Sequence, residues 1–427
     1  MAPLTEESLK LFIHRGVSFF DAVICSAAGQ KVSSHRWLYS KHRFKSQIEK
    51  FISPHASLIS EVVLLDEFAD RLSGLRIGGS VAPVFPVGLE KLTTQLHSSP
   101  IHSESVVLSE PAEWSELWLN ETLARIKDSG IKRISWHCLV PKEAALFFQG
   151  HGFENFLLEP QHLLDLPQWR RNLLNASCSG PVLELTEEMQ NVLKSLNSTA
   201  QILWLDEDLK KTESTQNRYG LTSAWTHLVY KWSQKKFPGT QDTYVMDWDG
   251  CFRIGSPQPE RWTPWGNVAC GTALPSVNLL EMQPTQSLGK DFLGDWSWNG
   301  RADQFEPGPL FLGRGLKPTV VDLVAYPSQL TKIFDVKENW TDRLDRELAS
   351  TCGLRSHSTL PELKNQLKNI ALEQWAREIF SQSTHDEIAL VGPFSEELLP
   401  LLKKSNFKKI HIQNELPDLF ELFEVIS

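Results

Sequence analysis

Three charged side chains between residues 320 and 339 have types and a spacing that suit metal-assisted chemistry. This stretch reads VVDLVAYPSQLTKIFDVKEN, with Asp322 in one apolar run and Asp335 and Lys337 closing the next. If both runs are strands joined by the Pro-Ser turn, the carboxylates lie on adjacent strands, and Asp335 and Lys337 share one face. Carboxylate oxygens suit Mg²⁺ or Mn²⁺, and a lysine can orient water and offset phosphate charge. The pattern predicts metal-dependent phosphodiester hydrolysis by the C-terminal part of the chain, with an N-terminal domain that recognises a partner, a substrate or a signal.

The order of elements around this stretch resembles the PD-(D/E)XK nuclease superfamily in its RecB-like form. Between about 316 and 412, a strand ending Asp-x-Lys is followed by a helix with Gln366 and Leu367, and then by a strand, a helix and a strand. The resemblance implies a set of metal ligands and catalytic residues: Asp322, Asp335 and Glu281 for the metal, and Asp322, Asp335, Lys337 and Gln366 for catalysis. An ordinary hairpin with a solvated Asp and Lys at its tip is the alternative.

A second resemblance lies in the N-terminal part of the chain. The stretch GIKRISWHCLVPKEAALFFQGHGFENF (130–156) resembles the C-terminal part of the GNAT acetyltransferases. The resemblance implies an acyl-CoA-dependent N-acyltransferase, and a GNAT-like or Rossmann-like sheet for the N-terminal domain. Such enzymes hold the cofactor pyrophosphate on backbone N–H groups of a glycine-rich turn. The matching stretch, LSEPAEW (108–114), contains no glycine, so a generic βαβ unit is the alternative.

A third pattern, VMDWDGCF at 245–252, resembles the opening motif of the haloacid-dehalogenase phosphatases. That resemblance implies Asp247 as a nucleophile and Asp249 as an acid or base. Pro393 stands where the family places a metal-binding Asp. A tight hairpin turn with an Asp-Gly pair explains the same residues.

The chain also fits a protein with no catalytic role, namely an α/β scaffold that binds a protein partner. Several of its 15 tryptophans fall within 248–299, and this Trp-rich segment is the expected binding surface, although tryptophans among Gly and Pro also fill cores. Enzymatic activity is therefore uncertain from sequence.

Composition limits the partners and the compartment. The net charge is −9 and no basic run occurs, so nucleic acid stays possible as a partner but gains no support from charge. The six cysteines show no zinc-type spacing and no disulfide framework. No apolar run reaches the roughly 18–20 residues of a membrane span. The expectation is a cytoplasmic protein without membrane contact.

The pattern of apolar residues predicts an α/β protein with two mixed-sheet domains joined by a mainly helical connector. The expected ranges are 1–165 for an N-terminal α/β domain, 166–240 for the connector and 241–427 for a C-terminal α/β domain. The first residues, MAPLTEESLKLFIHRG, are expected to lead into an amphipathic helix. Regular strands and helices alternate from 104 to 156, and no internal repeat is visible.

Overall fold

The protein is built around two mixed β-sheets that are covered by helices. A computed structural model describes residues 8–16, 19–38, 41–67, 76–77, 80–81, 105–108, 113–127, 132–136, 139–248, 250–263, 266–280, 282, 318–324, 340–351 and 359–425. The predicted α/β class with two mixed sheets is confirmed.

The first sheet begins with a three-stranded antiparallel meander and continues through a helix into a parallel strand. Its elements are β1 (Leu9–Arg15), β2 (Phe19–Ser26), β3 (Lys31–Leu38), α1 (Lys41–Ile52) and β4 (Ile59–Asp66). The strand β4 lies beside β1 and runs parallel to it, in register from Lys10–Glu61 to Arg15–Asp66. The expected N-terminal helix is wrong: the segment forms β1, and all but one of its side chains are buried. Such a strand, covered on both faces, shows an apolar run without alternation.

A smaller sheet is inserted between β4 and the rest of the first sheet. The inserted elements are β5 (Arg76–Ile77), β6 (Ser80–Val81), β7 (Ser105–Leu108), α2 (Glu116–Lys127), β8 (Arg133–Trp136), α3 (Lys142–Gly150) and β9 (Glu154–Phe156). Strands β7, β8 and β9 are parallel, in that order. They share a core that includes Ile134, Trp136 and Phe148. The β-α-β-α-β order expected here is confirmed.

The chain then returns to the first sheet and completes it. The elements are α4 (Leu166–Ser177), α5 (Ser179–Ser195), β10 (Gln201–Leu205), β11 (Lys211–Thr212), α6 (Arg218–Leu221) and α7 (Ala224–Lys236). Because β10 pairs in parallel with β4, the full strand order is β11-β10-β4-β1-β2-β3. The strand β10 lies within the range expected as a connector, and the domain boundaries at 165 and 240 stay a prediction.

The second sheet repeats the same plan. Its elements are β12 (Asp242–Met246), β13 (Cys251–Thr263), β14 (Gly266–Leu279), α8 (Val320–Val324), α9 (Trp340–Thr351), α10 (Leu360–Gln382), β15 (Glu387–Val391), α11 (Ser395–Leu402), β16 (Lys409–Gln413) and α12 (Leu419–Phe423). The strand order is β14-β13-β12-β15-β16. In both sheets an antiparallel meander is followed by two parallel strands on the far side of its first strand. The two units therefore share one connectivity.

The helices form three layers around the two sheets. Helices α1 and α5 cover the outer face of the first sheet, and α8 to α11 cover the outer face of the second. Helices α7 and α12 lie between the sheets, in one apolar core that takes side chains from β1, β2, β4, β12 and β15. Burial of this shared core stabilises the arrangement of both sheets at once.

The hairpin expected at 320–339 is not present where the structure describes it. Residues 320–324 form helix α8, and Asp322 is buried with its carboxylate accepting hydrogen bonds from Thr319 N (2.9 Å) and Oγ1 (2.8 Å). A five-residue apolar run does not separate a strand from a buried helix by its pattern. Asp335 and Lys337 lie outside the described residues. No described helix is long and apolar enough to cross a membrane.

A glycine after β15 allows the backbone there to approach the end of β12 closely. Gly392 has φ +121°, and a Cβ placed there would lie 2.8 Å from the carbonyl carbon of Met246 at the end of β12. We expect Gly392→Ala to reduce the free energy of unfolding by more than about 2 kcal/mol, because backbone strain adds to a backbone clash. Urea unfolding followed by circular dichroism measures this loss.

Gly29→Ala is the matched control. Gly29 also has positive φ (+78°), but nothing lies within 4 Å of the added Cβ, so only the strain of about 1 kcal/mol is expected. Equal losses in both variants would contradict the close approach at Met246.

Candidate functional site

The carboxyl ends of the parallel strands meet at one edge of each sheet. In the first sheet these strands are β1, β4 and β10, and in the second they are β12, β15 and β16. In open α/β sheets, ligands bind outside the carboxyl ends of the strands, because loops and helix N-termini open there. A ligand-binding or catalytic site is therefore expected at these two carboxyl edges.

The first carboxyl edge carries a buried histidine between two carboxylates. His14, near the end of β1, lies with Nδ1 3.5 Å from Asp21 Oδ2 and with Nε2 3.0 Å from Glu67 Oε1. Burial lowers the pKa of His14, but Asp21 and Glu67 outweigh burial and raise it above its ordinary value. Burial raises the pKa of Asp21, but the Arg36 guanidinium and His14 outweigh burial and lower it. The edge therefore favours a protonated histidine.

A second buried ion pair lies beside this histidine. Arg15, the last residue of β1, donates from Nε to Asp66 Oδ2 at 2.6 Å, and both side chains are 1% exposed. Glu184 on α5 lies 3.8 Å from the Arg15 guanidinium. Since the ends of β1 and β4 are joined by these pairs, the first edge is a charge-compensated cluster.

The second carboxyl edge carries one buried carboxylate in a tight turn. Asp247 follows β12 directly, is 6% exposed, and donates its backbone N–H to the carbonyl of Gly250 at 3.1 Å. This confirms the hairpin turn expected from the Asp-Gly pair. Burial, together with the carboxylates of Asp247 and Glu378, raises the pKa of the Cys251 thiol.

One indole ring lies between the two edges. Trp225, at the start of α7, stacks on His14 with ring centroids 5.1 Å apart and an interplanar angle of 6°. The same indole meets the ring of Phe252 edge-on at 6.0 Å, and Phe252 follows the Asp247–Gly250 turn by two residues. The two edges therefore border one region, on either side of Trp225.

A buried ion pair fixes the end of β10 to the second unit. Arg171 on α4 donates to both carboxylate oxygens of Glu207 at 2.9 Å, and also to the backbone carbonyl of Ala269 on β14. His227 on α7 lies with Nδ1 2.8 Å from the carbonyl oxygen of Glu207. Such a pair needs its full set of partners when buried. The network secures α7, and with it Trp225.

The residues predicted from the nuclease pattern do not meet at either edge in the described part of the chain. Asp322, in α8, is buried and hydrogen-bonded to Thr319, and Gln366 is exposed on α10. Glu281, Asp335 and Lys337 lie outside the described residues, as does Asp249. Of the sequence candidates that the structure describes, only Asp247 lies at a carboxyl edge.

Sequence reasoning missed the first carboxyl edge. His14 and Arg15 close the apolar run LKLFIHR, and Asp66 and Glu67 close ISEVVLLDE. Charged residues directly after an apolar run could have indicated a site at the end of a buried strand. Because the first segment was expected to form a helix, His14 was not recognised as a residue at the end of a strand.

Comparison with solved structures identifies the fold. An acetone carboxylase, whose structure was solved without nucleotide, matches 90% of this chain with a TM-score of 0.52 and 9% identity. An ATP-dependent caprolactamase from Pseudomonas jessenii matches 97% of this chain and 70% of its own (TM-score 0.46, 13% identity). A ROK family glucokinase from Streptomyces griseus matches 98% of both chains (TM-score 0.28, 9% identity).

The acetone carboxylase match shows that this chain shares the fold of that protein. The chain spans 65% of the length of that carboxylase chain. The other two matches have TM-scores under 0.5, which are too low to show a shared fold. No family model matches the sequence, and no curated protein matches it.

This finding corrects the expectations of function. The assignment to a PD-(D/E)XK nuclease and the resemblance to a GNAT acetyltransferase are wrong, because the acetone carboxylase that shares this fold is neither a nuclease of that superfamily nor a GNAT enzyme. The metal-dependent phosphodiester hydrolase is overturned with them, and the acyltransferase and the non-catalytic scaffold gain no support.

The raised pKa of His14 predicts how stability depends on pH. A group whose pKa is higher in the folded protein stabilises the fold fully below its unfolded value, about 6.5, and this is lost as pH rises through the folded value. We expect His14→Asn to cost more stability at pH 6 than at pH 9, measured by urea unfolding. His35→Asn, on the exposed face of β3, is the control. Equal losses at both pH values would contradict the charged cluster.

Proposed function

We propose that the protein binds the phosphate groups of ATP between its two carboxyl edges and uses phosphoryl transfer from ATP in its reaction. The observation that carries this proposal is the position of Asp247. It is a buried carboxylate at the carboxyl end of the central strand of the second sheet. Phe252, on the next strand of that sheet, contacts the Trp225 indole that stacks on His14 of the first edge. Chemistry on phosphates needs such a hard oxygen ligand beside an opening where two units meet.

The shared fold supports the choice of nucleotide. The acetone carboxylase of this fold is described as performing ATP-dependent acetone carboxylation. Because this chain spans 65% of that protein, only the use of ATP is proposed here, and the acceptor of the phosphoryl group is left open.

The residues at the second edge fit Mg²⁺ bound together with a nucleotide. Mg²⁺ is commonly held by one or two carboxylates plus phosphate oxygens and water, and less often by an all-protein cage. Within the described residues no group of three or more His, Cys, Asp or Glu forms such a cage. Asp247 would hold the ion, directly or through water, and the bound ion would neutralise charge on the phosphates.

The first edge has a positioning role in this proposal. His14, Arg15 and Arg36 are compensated by neighbouring carboxylates, so this cluster offers little net positive charge to a phosphate. Its ion pairs instead tie the ends of β1, β2 and β4 together. The stack on Trp225 then holds that frame against α7. We assign to these residues the orientation of the edge and the exclusion of water from it.

Calorimetric titration with ATP, in the presence and absence of Mg²⁺, tests the proposal. We expect the wild-type protein to bind Mg-ATP, and Asp247→Asn to weaken that binding by about tenfold or more, since one charged ligand of the ion is lost. ATP without Mg²⁺ should bind both proteins with similar affinity.

Asp208→Asn removes the same charge from an exposed turn after β10 and is the matched control. It should bind Mg-ATP as the wild type does. A wild-type protein that does not bind Mg-ATP would contradict the proposal. An Asp247→Asn protein with unchanged affinity would remove Asp247 from the site.

A further inference from the structure

The last strand of the second sheet has one open side. Strand β16 lies at the end of the order β14-β13-β12-β15-β16, where it pairs with β15. The corresponding strand of the first sheet, β10, pairs with β4 on one side and with β11 on the other. Among the residues that the structure describes, no strand covers the outer side of β16 as β11 covers β10.

The hydrogen bonds to β15 determine which backbone groups of β16 are used within the sheet. Lys409 donates its N–H to the carbonyl of Asp386 at 3.2 Å, and the carbonyl of Gln413 accepts from the N–H of Gly392 at 2.8 Å. The backbone groups of successive residues in a strand alternate in direction. Lys409, His411 and Gln413 therefore direct their backbone groups toward β15.

The two residues between them present an open edge. The N–H and C=O groups of Ile410 and Ile412 point away from β15, and both side chains are partly exposed. Ile410 packs against the core that α11 covers, and Ile412 lies on the same face because strand side chains repeat every two residues. An edge with free backbone groups and apolar side chains is a template for another strand.

The two ends of β16 carry opposite charges. Lys409 begins the strand and is exposed. Beyond the other end, Glu415 is exposed, and the exposed Glu396 of α11 accepts a hydrogen bond from Asn414 Nδ2 at 3.0 Å. A strand of the same sequence in antiparallel orientation would set the basic end of each copy against the acidic end of the other. Such complementarity favours a second copy of this chain as the partner.

We propose that two copies of this chain associate through β16, antiparallel about a two-fold axis at His411, and join their second sheets into one sheet of ten strands. Because residues 410 and 412 lie on either side of that axis, each Ile410 would exchange two backbone hydrogen bonds with Ile412 of the second copy. The same isoleucines would pair across the strands on one face. The edge is thus self-complementary, as a two-fold interface requires. The proposal does not rest on ATP binding.

Sedimentation equilibrium of the full chain tests this interface. We expect a reversible equilibrium of monomer and dimer within roughly 1 to 200 μM, as for a small interface. Ile412→Pro removes an outward N–H and spares the bonds to β15, a change that edge strands tolerate. This variant should be monomeric throughout that range, with the circular dichroism of the wild type. Ile412→Val keeps both the N–H and the β-branched side chain, and it should dimerise as the wild type does.

Substitutions at Gln413 test the register without a change to the backbone. In the proposed dimer Gln413 lies directly opposite Lys409 of the second copy. Gln413→Glu should tighten the dimer several-fold and Gln413→Lys should weaken it several-fold, because directly opposite charges attract or repel across strands. If the proline variant does not fold, these two variants decide alone.

Three results would each overturn the proposal. The first is a wild-type protein that stays monomeric over the whole concentration range. The second is a dimer that persists in a folded Ile412→Pro protein. The third is an equal dimer affinity in the two Gln413 variants.

Discussion

Two helices packed between the two sheets hold both units of this protein in one arrangement. Helix α7 and helix α12 fill the space between the sheets, and one apolar core joins them to strands of both. The ring of Phe12 on β1 lies 3.9 Å from that of Phe423 on α12, and Lys235 on α7 donates to the carbonyl of Glu424. Neither helix can move without exposing apolar surface from both units, which costs about 25 cal/mol for each Å² exposed.

This shared core decides where the polar residues meet. The start of α7 emerges at the carboxyl edges, so its residue Trp225 contacts His14 from one unit and Phe252 from the other. The pair of Arg171 and Glu207 then fixes the end of β10 against β14. The two edges therefore border one region and differ in their side chains. The first edge carries the charge-compensated cluster around His14 and Arg15, and the second carries Asp247 in a turn.

Much of the local structure could be predicted from the sequence, because apolar runs and turn residues report on it directly. The alternation at 104–156 and the Asp-Gly hairpin after β12 both follow from period and turn chemistry. Two short apolar segments could not be assigned by the same means. LKLFIHR is buried on both faces as a strand, and VVDLV is buried as a helix, and neither shows a distinguishing period.

The fold and the site were beyond the sequence for a different reason. The two sheets share their strand connectivity, but not their amino-acid sequence. A strand buried on both faces needs apolar residues without needing particular ones, so the shared connectivity leaves no repeat in the sequence. The Asp-x-Lys pattern that predicted a nuclease depended on a hairpin, whereas Asp322 lies in a helix and bonds to Thr319. Of the candidate residues, Asp247 was singled out through the resemblance to the haloacid-dehalogenase opening motif, and His14 needed the pairing of β1 with β4.

In the proposed function, both carboxyl edges contribute to one ligand-binding region. Hydrogen–deuterium exchange of the full chain, with and without Mg-ATP, tests it most directly. We expect slower exchange on addition of Mg-ATP in segments from both units, namely 9–26, 242–254 and 387–398. Protection confined to one unit, or exchange that does not change with Mg-ATP, would contradict it.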